Sequence, residues 1–145
     1  MIETEKNVRV ALTGTIVLIG TYIAVQMLSD IGSLKIAKVA GLAVDAGTFV
    51  YPVTFTIRDM IHKRLGKKAA RTTVLLAAGI NIVMALFFWL ISLLPADSSW
   101  SIWEGAGVSM NDAFARVLAP AWTIVIASIV AEVFSELVDT EVYHL

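Results

Sequence analysis

One polar block, residues 45–71, interrupts a chain that otherwise has the composition of a membrane protein. The block reads DAGTFVYPVTFTIRDMIHKRLGKKAAR. The whole chain is 58% hydrophobic and only 16% charged, with a mean hydropathy of +0.81, whereas a soluble domain is about 45–50% apolar and about 25% charged. Ionisable groups at membrane depth are costly and are usually functional. The block therefore constrains both the fold and the place where a polar solute would be handled.

Four segments are predicted to cross the membrane, because about 20 apolar residues span the hydrocarbon core of a bilayer. They cover approximately residues 10–28, 46–61, 72–94 and 117–138. The second span is short and contains Pro52, and the Gly-containing stretch before it, residues 35–44, predicts a small extracytoplasmic hairpin or re-entrant segment. The predicted fold is an all-α integral membrane bundle of about four transmembrane helices, forming a single membrane domain.

Charged residues between the spans set the predicted orientation. The second and third spans are separated by a basic cluster that consists of His62, Lys63, Arg64, Lys67, Lys68 and Arg71. The segment of residues 95–112 carries only acidic charges. Because positive segments stay in the cytoplasm, we expect a multi-pass protein of the cell membrane with both termini and the basic cluster in the cytoplasm.

The short second span carries the first group of residues that would contact a solute. This group consists of Tyr51, Thr54, Arg58 and Asp59. Pro52 favours a functional interpretation, because helix breaks often mark the binding segment of a transporter. The alternative is that Arg58 and Asp59 simply extend from a helix end to the membrane surface.

The later spans carry the second group. Glu132, Glu136 and Asp139 are spaced i, i+4 and i+7, so they project from one helical face. Carboxylates this close disfavour joint ionisation, which would suit proton coupling. The alternative is an amphipathic helix end that emerges into the cytoplasm. Asn81, alone in the apolar third span, suits a ligand contact or an interhelical hydrogen bond.

Sequence motifs for catalysis, metal binding and nucleic-acid binding are missing. The chain has no cysteine, and its two histidines, His62 and His144, do not pair at metal-ligand spacing. It contains neither a Gly-x-Ser-x-Gly nucleophile motif nor a Gly-rich phosphate loop. A net charge of −1 without a basic face gives no sign of nucleic-acid binding. We therefore predict a protein that is not an enzyme and carries no cofactor or metal.

The polar block resembles the signature of the queuosine precursor transporters, a vitamin-uptake-like family of integral membrane proteins. The matching positions are Gly47, Tyr51, Pro52, Phe55, Asp59, Gly66, Ala70 and Arg71. A second block, ARVLAPAWTIVIASIVAEVFSELVDTEVYHL, is similar to a later helix of the family at Arg116, Ala127, Ser128, Glu136, Asp139 and Tyr143.

The resemblance implies import of 7-deazaguanine-type bases, such as 7-cyano-7-deazaguanine, or of queuine, for salvage into tRNA modification. The implied partners are the deazapurine base and the lipid bilayer. The polar residues named above suit such a solute, since carboxylates accept from N–H groups, aromatic rings stack on the base and Asn81 offers a donor and an acceptor.

Members of that family continue with further helices beyond the position of Tyr143, whereas this sequence ends at Leu145. The resemblance therefore implies a shortened form, or one that assembles as a homo-oligomer to complete the pathway. Two other functions stay open at this point. One is the substrate-binding membrane subunit of an energy-coupling-factor-type vitamin importer, and the other is a membrane assembly subunit without a solute site.

Overall fold

The computed structural model describes residues 2–97, 100 and 109–142, with side chains for all of these except residues 2, 132, 133 and 136–142. Its elements, in chain order, are α1 (Ile2–Gly32), β1 (Ile36–Val39), β2 (Leu42–Asp45), the short 3₁₀ helix η1 (Ala46–Phe49), α2 (Tyr51–Leu65), α3 (Lys67–Ser92), α4 (Met110–Leu118) and α5 (Ala121–Val142). Apart from one two-stranded hairpin, the described elements are helices. The predicted all-α membrane fold class is confirmed.

Within the described ranges, three helical segments are long and apolar enough to cross a membrane: Glu3–Gly32, Lys67–Ser92 and Met110–Ala131. The 15-residue helix α2 is shorter. At 1.5 Å per residue it is about 22 Å long, less than the roughly 30 Å of the hydrocarbon core. It is the short, Pro-containing helix of the predicted fold.

The last apolar segment is divided at Ala119 and Pro120. The sequence predicts one helix over residues 117–138, whereas α4 ends at Leu118 and α5 begins at Ala121. Proline has no backbone N–H and its ring clashes with the preceding turn, so a helix restarts there more easily than it continues. Pro120 instead accepts at its carbonyl from the N–H of Thr123, at 3.0 Å.

The stretch between α1 and α2 forms the small hairpin that the sequence predicts. Strands β1 and β2 are antiparallel, and Val39 pairs with Leu42 next to a two-residue turn. The turn residues Ala40 and Gly41 have φ angles of 50° and 85°, as in a type I′ turn. Glycine adopts such an angle freely, and alanine does so at a small cost.

The start of the second span differs from the prediction, because residues 46–49 form η1 and α2 begins only at Tyr51. Asp45 caps η1, with its Oδ1 accepting from the N–H of Gly47 at 2.7 Å. Pro52 lies in the first turn of α2, where its missing N–H costs nothing. It therefore does not break a helix in mid-membrane, and the irregular point is the junction of η1 with α2.

The basic cluster is a helical corner and not a loop. Gly66, at a φ of 87°, ends α2, and its N–H donates to the carbonyl of His62 at 2.9 Å. The next residue, Lys67, already begins α3. His62, Lys63 and Arg64 therefore occupy the last turn of α2, where positive charge stabilises the helix dipole.

The chain divides into two units, Met1–Ala77 and Ala78–Leu145. In the first unit, α1 packs against η1 and α2. The buried apolar core of this unit consists of Tyr22, Ile57, Ile61, Ala70, Val74 and Ala77. Among the described residues of the second unit, the buried apolar ones are Met84, Ala85, Ala121 and Val125. Most other apolar side chains of the long helices are exposed, as expected of surfaces that face lipid.

Candidate functional site

The C-terminal half of α1 carries a buried polar face. Gln26, Ser29 and Asp30 are 3%, 2% and 3% exposed, and Tyr22 is buried one turn earlier. Position 26 is three or four residues from positions 22, 29 and 30, so all four lie on one side of the helix. This side faces the interior of the first unit, while the rest of α1 is largely exposed. A buried polar face is what a membrane helix shows when it contributes to a solute pathway.

A close contact between α1 and η1 fixes the position of this face. The hydroxyl of Ser29 donates to the carbonyl of Gly47 at 3.1 Å, in a buried hydrogen bond. Gly47 is buried, and a Cβ at this position would overlap the carbonyl oxygen of Ser29 and the hydroxyl of Ser33. Gly32 is almost as close, because a Cβ there would lie 3.2 Å from the Cα of Gly47. The backbone of η1 thus rests directly on the last turn of α1, which only glycine permits.

Helix α2 adds Thr54 to the buried polar residues of the first unit. Thr54 is buried, and its hydroxyl donates to the carbonyl of Tyr51 at 2.7 Å. Together with Ile57 and Ile61 it forms the buried side of α2. The donation to Tyr51 satisfies the Thr54 proton, and its oxygen retains lone pairs that accept a further hydrogen bond.

An aromatic and cationic row lies next to Thr54 on α2. The rings of Tyr51 and Phe55 meet edge to face, with centroids 4.9 Å apart. The guanidinium of Arg58 lies 5.3 Å from the centroid of the Phe55 ring, within the range of a cation–π interaction. Tyr51 and Arg58 are half-buried. This row places apolar ring surface beside the guanidinium of Arg58.

The remaining predicted site residues are not gathered at this place. Asp59 is exposed and lies on the side of α2 away from Thr54, Ile57 and Ile61, so the buried side does not include it. Asn81 is buried in the second unit. Glu132, Glu136 and Asp139 belong to α5, but their side chains lie outside the described part of the chain. A solute-binding role for these five residues stays a prediction.

The second unit has an apolar groove of about 320 Å³ between the later part of α3 and the start of α5. Its lining is apolar and includes Trp89 and Trp122. A polar solute needs a few placed donors and acceptors, and this groove supplies almost none. The polar faces of α1 and α2 are therefore the better candidate for solute binding.

Among the described residues, no group of three or more His, Cys, Asp or Glu side chains has the arrangement of a metal site. Within the part of the chain that the structure describes, the buried or half-buried polar groups on the faces described above for α1 and α2 are hydroxyls, one amide, one carboxylate and one guanidinium. Such groups supply both donors and acceptors of hydrogen bonds.

The sequence interpretation missed the polar face of α1. The predicted span of residues 10–28 ends at this face, with Gln26 inside it and Ser29 and Asp30 directly after it. Polar residues at that position are also typical of a helix end at the membrane surface. The available signal was their helical spacing with Tyr22. This spacing predicts that the polar side chains share one face of the helix and are not distributed around its end.

A family model described as "Putative vitamin uptake transporter" matches residues 45–145. The chain belongs to this family. Membership agrees with the resemblance of the polar block and of the last helix. It makes transport across a membrane, without catalysis, the role that the family suggests. No curated protein and no solved structure matches the chain.

The match begins at Asp45 and therefore covers η1, α2 and all later elements. It does not cover α1, which supplies Gln26, Ser29 and Asp30. Membership in the family consequently says nothing about the roles of these three residues.

Proposed function

We propose that this protein imports queuosine precursors across the cell membrane, namely 7-deazaguanine-type bases such as 7-cyano-7-deazaguanine, or queuine. The observation that carries the proposal is the buried polar face of α1 against α2 in a member of a vitamin uptake transporter family. Polar side chains inside a membrane domain are expensive, and a solute pathway is the usual reason for them.

The chemistry of α2 suits a deazapurine base. Such a base is flat, so it stacks on an aromatic ring, and Phe55 with Tyr51 supplies one. Its ring carbonyl accepts from a guanidinium, which Arg58 presents next to Phe55. Thr54 accepts a hydrogen bond from an N–H of the base. We therefore assign Tyr51, Thr54 and Arg58 to the binding site.

Import in living cells tests this function. The host lacks both its own precursor synthesis and its own precursor import, and it expresses this chain in medium with 7-cyano-7-deazaguanine. We expect queuosine to appear in tRNA, measured by mass spectrometry of digested tRNA, and to be absent with the empty vector. Queuosine-free tRNA in cells whose membranes contain the protein would refute the function. Uptake that needs a co-expressed ATPase would instead support the energy-coupling-factor alternative.

We also propose that both termini and the basic corner around Gly66 face the cytoplasm, which puts the β1–β2 hairpin outside. Basic residues flank this corner on both helices, and such residues remain on the cytoplasmic side. A reporter fused after Lys68 should be active only as a cytoplasmic reporter, and one fused after residue 103 only as an external reporter. The reverse pattern would overturn the orientation.

A further inference from the structure

Gln26 and Asp30 are two buried polar residues with no assigned role. Each is 3% exposed, and both lie before the segment that the family model matches. They are four residues apart on α1, so their Cβ atoms are about 5–6 Å apart on the same face. Two polar side chains at this distance fit two neighbouring groups on the edge of one ring.

We propose that Gln26 and Asp30 select bases with a guanine-type edge. This inference rests on the proposed function. Such an edge presents a 2-amino group and a ring N–H side by side, followed by a 6-oxo group. The two oxygens of Asp30 accept from the amino group and the ring N–H, and the side-chain NH₂ of Gln26 donates to the 6-oxo group. The pattern of donors and acceptors on the edge is thus matched group by group.

Asp30 also interacts with another group of the protein. A carboxylate has about four acceptor positions, so it accepts from a base while it keeps an internal contact. Both side chains are covered in this conformation. The base therefore reaches them when the α1–α2 face opens, as alternating access requires.

The selection of a 2-amino group tests the role of Asp30. Uptake of labelled 7-cyano-7-deazaguanine into cells is competed with unlabelled 7-deazaguanine or with 7-deazahypoxanthine, which lacks the 2-amino group. In the wild type, we expect 7-deazaguanine to compete at a concentration about 10- to 100-fold lower, as for loss of a hydrogen bond to a charged group. In Asp30→Asn, the ratio of the two competing concentrations, 7-deazahypoxanthine to 7-deazaguanine, should fall close to one. The control Glu5→Gln, an exposed carboxylate on the same helix, should keep the wild-type ratio.

A second variant keeps the inference testable if Asp30→Asn does not accumulate in the membrane. Gln26→Leu removes the donor to the 6-oxo group, so the preference for 7-deazaguanine over 2-amino-7-deazapurine should fall. A smaller preference should remain, because 2-amino-7-deazapurine also lacks the ring N–H that donates to Asp30. An unchanged ratio in a variant that inserts normally overturns the inference while the proposed function stands. If both competitors become weaker by the same factor, the residue has a structural role, and this result also overturns the inference. Absence of uptake by the wild type refutes the proposed function itself, and the inference with it.

Discussion

Gly47→Ala is expected to destabilise the first unit and to abolish transport. The added Cβ would overlap the carbonyl oxygen of Ser29 and the hydroxyl of Ser33. The Ser33 side chain is able to rotate away, but the Ser29 carbonyl belongs to the backbone of α1. Helix α1 and η1 must therefore separate, which also breaks the buried hydrogen bond from Ser29 to Gly47. Overpacking of a tight contact costs about 1–3 kcal/mol, and we expect the upper end of this range.

Gly20→Ala is the matched control, because a Cβ at Gly20 in α1 meets no atom within 4 Å. Alanine favours a helix over glycine by up to about 1 kcal/mol, so this variant should be as stable as the wild type or slightly more stable. The measurement is the free energy of unfolding of each purified variant in lipid bicelles. Equal stability of the two variants would contradict the close contact between α1 and η1.

Ile61→Ala is the second change with a large expected effect. Ile61 is 0% exposed and lies in the core with Tyr22 and Ile57. Lipid tails are as apolar as isoleucine, so moving this side chain between lipid and the protein core changes the free energy little. The variant therefore loses stability mainly because packing contacts are lost. In soluble cores the same truncation costs about 2–5 kcal/mol. We expect about 2 kcal/mol here, because mainly the cavity contributes.

Met60→Ala is its control, since Met60 is the neighbouring residue on α2 and is 38% exposed. A truncated side chain at that position is replaced partly by lipid, so no comparable cavity forms. The loss of unfolding free energy, measured again in bicelles, should be clearly smaller than for Ile61→Ala. If both variants lose the same amount, the packing of α2 against the core is not as the structure has it.

Local rules of sequence predicted the overall fold and the hairpin well. The long apolar runs required helices, because a membrane allows no unsatisfied backbone. The Gly-containing stretch of residues 35–44 predicted a hairpin or a re-entrant segment; the structure has the hairpin, and Gly41 takes the positive φ of its turn. The ends of the elements were less predictable. Asp45 caps a 3₁₀ turn, so α2 begins only at Tyr51. Gly66 alone separates α2 from α3, so most of the basic cluster lies within these two helices.

The candidate site was only partly predictable, because its composition depends on which helix faces pack together. Thr54 and Arg58 were found as polar residues in an apolar span, and the structure brings them near Tyr51 and Phe55. Asp59 looks equivalent to Arg58 in the sequence, yet it lies on the other side of α2. The face of α1 escaped notice because burial against η1 and α2, and not hydropathy, distinguishes Asp30 from a surface carboxylate.

The central claim, that this chain carries deazaguanine-type bases, is tested most directly with the purified protein in liposomes. Radiolabelled 7-cyano-7-deazaguanine is supplied outside, and the label inside is followed over time, with protein-free liposomes as reference. We predict saturable accumulation that excess unlabelled base competes away and that Gly47→Ala abolishes. Label that enters no faster than into protein-free liposomes, with folded protein present in the membrane, would contradict the account.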